Sequence, residues 1–213
     1  VWTNPSVSST GQYQAVAVYY GTDTIYTSSD YGVTWTSRDS VRSWYSVAVS
    51  AATGQYMSAV VNSSSIYRST NYGVSWSSVA STNAGWSQIV ISASGQYQTA
   101  VPNGGFIWIS SDYGASWSTV GTSKGWLWVG MSPSGQYQAA AVGAVDYIYV
   151  SSDYGATWTA RGSTGSWGAN NSIAFSETGK YVTALYGSSV YVSDDFGVTW
   201  SLKDSSNSYS VLS

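Results

Sequence analysis

One eight-residue motif occurs five times in this chain at almost constant spacing, and that period constrains the fold more than any other feature. The first three copies read Ser28-Ser29-Asp30-Tyr31-Gly32-Val33-Thr34-Trp35, Ser69-Thr70-Asn71-Tyr72-Gly73-Val74-Ser75-Trp76 and Ser110-Ser111-Asp112-Tyr113-Gly114-Ala115-Ser116-Trp117. The last two are Ser151-Ser152-Asp153-Tyr154-Gly155-Ala156-Thr157-Trp158 and Ser193-Asp194-Asp195-Phe196-Gly197-Val198-Thr199-Trp200. Their third residues, Asp30, Asn71, Asp112, Asp153 and Asp195, stand 41, 41, 41 and 42 positions apart. A period of about 40 to 45 residues belongs to propeller blades or to helical repeat pairs. Residue types choose between them. Helical repeats need leucine, alanine and long charged side chains, whereas this chain of 213 residues has four leucines and 8% charged residues, with Ser, Thr, Val, Tyr and Trp nearly everywhere. The expected fold is all-β.

A second element precedes each motif: Thr10-Gly11-Gln12-Tyr13, Thr53-Gly54-Gln55-Tyr56, Ser94-Gly95-Gln96-Tyr97, Ser134-Gly135-Gln136-Tyr137 and Thr178-Gly179-Lys180-Tyr181. Each predicts a hairpin turn with glycine at positive φ. Ahead of it lies a first strand such as Ser46–Ser50 or Gln88–Ser92, and after it a small-residue strand such as Ala59–Val61 or Ala139–Val142. The second strands are apolar at consecutive positions, as a strand covered on both faces requires. A third strand repeats as Ile25-Tyr26, Ile66-Tyr67, Ile107-Trp108, Ile148-Tyr149 and Val190-Tyr191, and a fourth starts at the motif tryptophan and turns polar, as an outer edge should. Four antiparallel strands per repeat, five times, predict a single five-bladed β-propeller over 1–213. Its blades fall at approximately 1–41, 42–82, 83–123, 124–164 and 165–208. Residues 209–213 are then a spare or closing strand, because Tyr209-Ser210-Val211-Leu212-Ser213 reads like a first strand, as does the segment from Trp2 to Ser8.

The five-copy motif resembles the Asp-box, or BNR, repeat of sialidase-like propellers, and the resemblance covers essentially the whole chain. It implies that Asp30, Asn71, Asp112, Asp153 and Asp195 are structural. The chemistry agrees, since the side-chain oxygen can accept backbone N–H groups within the hairpin, and glycines such as Gly32 supply the unusual backbone angle. The resemblance also raises the sialidase active site: an arginine triad, a tyrosine nucleophile with a glutamate partner, and an acidic aspartate. This chain has only Arg38, Arg42, Arg68 and Arg161, and one glutamate, Glu177, on a first-strand hairpin away from the loop arginines. No triad converges, so sialidase activity is not expected. Asp23, Asp39, Asp146 and Asp204 could in principle supply a two-carboxylate glycosidase pair, but nothing singles out any two of them. The expectation is a protein without catalytic residues.

Other classes fall to composition. The formal net charge is −3 and the seven Lys and Arg are scattered, so the footprint of a nucleic-acid binder is missing. With no cysteine and no histidine, disulfides, thiolate or imidazole metal sites and histidine bases are excluded, and neither metal nor cofactor is expected. No run of 18 apolar residues exists, so no membrane-inserted helix is expected. The Ser/Thr/Tyr/Trp-rich, weakly acidic composition fits an extracellular or surface location, where Asn62-Ser63-Ser64 and Asn170-Asn171-Ser172 would be glycosylation sequons.

Hairpins after strands one and three leave on one face and are nearly identical in every repeat; loops after strands two and four leave on the other face and differ. Binding chemistry belongs on the variable face. There Trp44, Trp86, Trp126 and Trp167 stand just before the first strands, with Trp2 or Tyr209 at the fifth position, beside Asn62, Asn103 and Asp146. Indole rings covering sugar C–H faces, with amide and carboxylate groups on the hydroxyls, predict a multivalent, lectin-like glycan binder. The competing reading has these tryptophans packing between blades with their N–H groups held by backbone. A second class is a structural or protein-docking module that self-associates through Tyr209–Ser213.

Overall fold

The computed structural model describes residues 5–18, 23–165, 173–186 and 189–204. All regular structure there is β. The strands are β1 (Ser6–Val7), β2 (Gln14–Val16), β3 (Asp23–Ser28), β4 (Thr36–Arg42), β5 (Trp44–Val49), β6 (Met57–Val61), β7 (Ser64–Ser69), β8 (Ser77–Ala84) and β9 (Trp86–Ile91). They continue as β10 (Gln98–Ser110), β11 (Ser118–Met131), β12 (Gln138–Val142), β13 (Asp146–Ser151), β14 (Thr159–Gly165), β15 (Ile173–Phe175), β16 (Val182–Tyr186), β17 (Ser189–Ser193) and β18 (Ser201–Asp204).

Four antiparallel sheets result, in the orders β1-β2-β3-β4, β5-β6-β7-β8, β14-β13-β12-β11-β10-β9 and β15-β16-β17-β18. The six-stranded sheet holds the third and fourth repeats. Its β10 pairs with β9 through Gln98–Pro102 and with β11 through Asn103–Ile109, turning at Gly104 (φ 104°) and Gly105 (φ 134°). Its β11 runs from the outer position of the third repeat into the inner position of the fourth without a break. The variable segments that follow the motif strands continue them: Arg38–Arg42, Ser81–Ala84 and Arg161–Gly165 are the far ends of β4, β8 and β14. Backbone pairing with the neighbouring third strand holds them extended: Asp23 with Arg42, Ser64 with Ala84, and Asp146 with Gly165.

The inner strands surround one cavity of about 550 Å³, bordered by Ser6, Val49, Ile91, Trp128, Met131 and Phe175 among others. This is the arrangement of a propeller around its axis. Adjacent inner strands are tied by side chains: the N–H of Val49 donates to Ser6 Oγ (2.9 Å), that of Ile89 to Ser46 Oγ (3.3 Å) and that of Val129 to Gln88 Oε1 (2.8 Å). The second strands β6 and β12 are buried at every position, as the apolar runs Ala59–Val61 and Ala139–Val142 predict, and Ser58 and Gln138 are buried with them. Apolar clusters fill the space between sheets, for example Ala15, Ile25 and Ala17 of the first against Val47, Met57 and Ala59 of the second.

Candidate functional site

The conserved end of the sheets is occupied by the five motifs, which share one hydrogen-bond pattern. In the third, Asp112 Oδ1 accepts from the N–H of Ser116 (2.9 Å) and from Ser110 Oγ (2.8 Å), while Oδ2 accepts the Ser116 hydroxyl. Trp117 Nε1 donates to the carbonyl of Gly114 (3.2 Å). The first serine, to which the sequence assigns no role, is buried and also accepts the glycine N–H, at 2.9 Å for Ser110 and Gly114. Asn71 keeps the pattern with its amide turned, so that Nδ2 donates to Ser75 Oγ (2.9 Å). The aromatic residue before each glycine also has positive φ, from 61° at Tyr72 to 64° at Tyr31, so the turn needs two left-handed residues rather than glycine alone. Hydrogen bonds hold the carboxylates in the charged form. Asp30 lies below the usual carboxylate range through the Thr34 hydroxyl and N–H and the Ser28 hydroxyl. Burial pushes Asp112, Asp153 and Asp195 up, but the hydroxyl and N–H of Ser116, Thr157 and Thr199, and the hydroxyls of Ser110, Ser151 and Ser193, outweigh it.

At the variable end the tryptophans are not an open aromatic wall. Trp44, Trp86 and Trp126 are 0%, 1% and 1% exposed, each covered by an aromatic residue of the third strand of its own repeat. The contacts are Trp44–Tyr67 at 5.1 Å, Trp86–Trp108 at 5.9 Å and Trp126–Tyr149 at 5.1 Å, all edge-on. This corrects their expected role as sugar platforms, because large rings next to the outgoing strand are worth more buried between sheets than wetted. The packing reading needs correction too. Trp86 Nε1 donates to the Ser64 carbonyl (3.1 Å), but Trp44 Nε1 and Trp126 Nε1 are buried without a partner. Trp167, Trp2 and Tyr209 lie outside the described residues.

Two cations mark the junctions where the indole is unpartnered. Arg42, two residues before Trp44, lies 4.6 Å from the Tyr67 ring centre and pairs with Asp39 (3.4 Å). Lys124, two residues before Trp126, lies 5.1 Å from the Tyr149 ring centre and pairs with Asp146 (2.7 Å). Asp146 Oδ1 also accepts from the N–H of Tyr147 (2.8 Å) and the Tyr149 hydroxyl (3.1 Å). The hydrogen bond to Asp146, aided by Tyr149, raises the Lys124 ammonium above its ordinary range. Burial pushes the Asp146 carboxyl up, but its bonds to Lys124, Tyr147 and Tyr149 carry it below the usual range. Both stay charged at neutral pH.

The structure thus brings three predicted residues to the junction of the third and fourth repeats. Asp146 is paired there, Trp126 is buried, and exposed Asn103 faces Gly125 across the β10–β11 ladder. Asn62 is exposed at the junction of the first and second repeats, where its N–H donates to the Ser43 carbonyl (2.9 Å). Sequence reasoning missed Lys124, Tyr149, Phe106 and Tyr147. Phe106 (47% exposed) follows Gly105, the ladder partner of Lys124, and Tyr147 (39% exposed) follows Asp146. A usable signal existed, since Phe106 is the one large apolar side chain in Asn103-Gly104-Gly105-Phe106. The arginines of the sialidase comparison stay apart: Arg38 and Arg42 on β4, Arg68 on β7 and Arg161 on β14.

A family model described as BNR/Asp-box repeat matches residues 191–202, and a second, described as BNR-Asp box repeat, matches 25–37 and 148–160. No curated protein sequence matches the chain significantly. Among solved structures, an ancestral GH74 enzyme is similar with a TM-score of 0.74 at 17% identity, over 95% of this chain and 31% of that one. The GH74 xyloglucanase from Xanthomonas campestris gives 0.71 at 15% identity, over 93% and 37%. YCF48 from Cyanidioschyzon merolae gives 0.65 at 16% identity, over 95% and 71%, and YCF48 bound to D1 peptide gives 0.61 at 16% identity, over 94% and 81%. The chain spans about a third of the length of the two GH74 enzymes, and at these identities the likeness is one of fold.

Proposed function

We infer that this BNR/Asp-box-repeat β-propeller is a non-catalytic binding module that engages glycans on its variable face. The observation that carries the reading is the junction of the third and fourth repeats. There two exposed rings, Phe106 and Tyr147, stand one residue from the ladder and salt-bridge partners of Lys124, with exposed Asn103 opposite the adjoining Gly125. Rings for C–H faces and a donor-and-acceptor pair for hydroxyls are what a shallow saccharide site requires. An extracellular or surface location suits that ligand. The five repeats are read as five blades of one domain, supported by the inner strands of all four sheets lining a common cavity.

Catalysis is not part of the proposal. A general acid at neutral pH needs a raised pKa, and Asp146 is shifted the other way. Asp39 is held by Arg42, while Asp23 accepts the Thr24 N–H (2.7 Å) and the Tyr26 hydroxyl (3.3 Å). The test is a broad glycan array followed by calorimetric titration. Phe106→Ala and Tyr147→Ala should each weaken a hit by about tenfold or more, the loss of one stacking surface. Absence of binding to every glycan class at millimolar concentration overturns the reading. A second reading, peptide docking, is favoured by the exposed Val145 (73%) and Val41 (58%) on the same face, and by the fold shared with YCF48 bound to D1 peptide. It predicts that peptides, and no saccharide, compete for the Phe106 and Tyr147 surface.

A further inference from the structure

The junction between the first and second repeats carries the same arrangement as the one between the third and fourth. Each has a cation two residues before the buried tryptophan, lying on the ring of a tyrosine that the indole meets edge-on, and each cation is paired with a carboxylate. In both, the indole N–H is buried and unpartnered. The intervening junction shares the buried, edge-on indole but has Ala84 in place of the cation, and Trp86 Nε1 is bonded to the Ser64 carbonyl.

Repetition alone does not explain the likeness, because the two carboxylates come from different places. Asp146 is contributed by β13 of the repeat that follows Lys124, whereas Asp39 lies three residues before Arg42 on the same strand. Asp39 also has an unusual backbone. It is the fourth residue after its motif tryptophan, Trp35, and has φ 56°. The corresponding residues after Trp117 and Trp158 are glycines, Gly121 (φ 75°) and Gly162 (φ 70°). A side chain kept in a left-handed position where the third and fourth repeats use glycine points to a role for that side chain.

We propose that Asp39 and Arg42, seated on the buried Tyr67 and Trp44 rings and with exposed Val41 as the apolar neighbour in place of an exposed ring, form a second saccharide site that repeats the charged pair of the Lys124–Asp146 junction, and that both take a neutral sugar with adjacent hydroxyls. The proposal rests on the glycan reading above. A neutral pair of charges offers an acceptor next to a donor, so one sugar hydroxyl donates to the carboxylate while its neighbour accepts from the cation. An anionic ligand would have to displace the aspartate. The groups are reachable, with side-chain exposures of 33% for Arg42 and 19% for Asp39, against 26% for Lys124 and 21% for Asp146. The valence is therefore two, not five.

The experiment is calorimetric titration of the whole chain with xyloglucan oligosaccharide, mannotetraose and galactotetraose, with a galacturonate trimer as the acidic control. The wild type should bind one of the neutral probes at two sites per chain. Asp39→Gly should leave one site while the thermal midpoint stays or rises, because glycine relieves the left-handed strain. Lys124→Ala should also leave one site, and the double variant none. One site in the wild type, or two sites in Asp39→Gly, overturns the proposal while the glycan reading stands. Preference for the galacturonate trimer overturns the ligand class. Failure of every saccharide to bind overturns the glycan reading, and this proposal with it.

Discussion

Asp112 and its counterparts are the acidic residues that repeat most regularly, yet both carboxylate oxygens are already engaged within the turn. Asp112→Ala removes three acceptor contacts at a partly exposed site, and should cost about 1–2 kcal/mol in chemical denaturation. Asp112→Asn should cost less than about 1 kcal/mol, since Asn71 shows how the turn accommodates an amide. Acid distinguishes the two further. The folded-state pKa of Asp112 lies below the ordinary carboxylate value of 3.8, so its contribution is present above that pH and is lost as pH falls through the lowered folded value. The asparagine variant should lack that share of acid sensitivity, which unfolding monitored between about pH 5 and pH 2 checks. The scaffold role of the motif was legible in sequence because its partners lie within four residues. Whether Trp44 and Trp126 pack between blades or stand open to a ligand has two readings in sequence, because it is decided by Tyr67 and Tyr149, 23 residues further on.

The Gly-Gln-Tyr turns show how one element serves two purposes. Their glycines have positive φ, as the sequence predicts, from 70° at Gly54 to 87° at Gly95. Each also lies against the tyrosine of the preceding repeat: a Cβ on Gly54 would stand 2.4 Å from the Tyr13 ring, and one on Gly95 would stand 2.8 Å from Tyr56. Gly11 is the exception, with nothing nearer among the described residues than Tyr31 at 3.9 Å. Gly54→Ala should therefore cost roughly 2–4 kcal/mol, overpacking added to backbone strain, and Gly11→Ala only about 1 kcal/mol. Thermal or denaturant unfolding of the two variants checks the difference. The adjoining glutamines act between repeats as well. Buried Gln98 Oε1 accepts from Ser58 Oγ and Gln138 Oε1 from Thr99 Oγ1, both at 2.6 Å. The sequence shows the repeated glutamine but not its partner some 40 residues away.

Across the molecule, these turns build a ladder of rings. The tyrosine of each Gly-Gln-Tyr turn packs on the motif aromatic of the next repeat: Tyr13 on Tyr72 at 4.4 Å, Tyr56 on Tyr113 at 4.6 Å, Tyr97 on Tyr154 at 4.2 Å and Tyr137 on Phe196 at 4.3 Å. The two remaining members, Tyr181 and Tyr31, are 54% and 65% exposed. A double-mutant cycle between Tyr56→Ala and Tyr113→Ala should show a coupling of about 0.5–1.5 kcal/mol. For Tyr31→Ala and Tyr181→Ala the effects should add to within about 0.5 kcal/mol, as for residues that do not touch. Strong coupling in the second cycle would show that the last repeat meets the first in solution.

The all-β class, the repeat length, the strand order within a repeat, the Asp-box turn and the division into a uniform and a variable face all follow from the sequence. Each depends on residues a few positions apart, and five near-copies reinforce every local signal. Tertiary structure alone decided which side of a ring is covered and which cation meets which carboxylate. Lys124 reaches Asp146, 22 residues on, while Arg42 turns back to Asp39, three residues earlier, although both precede a tryptophan by two positions. Local pattern sets where a side chain starts, but burial and pairing are settled by packing between repeats, and for that reason the candidate site moved from the tryptophans to the charged pairs and exposed rings around them.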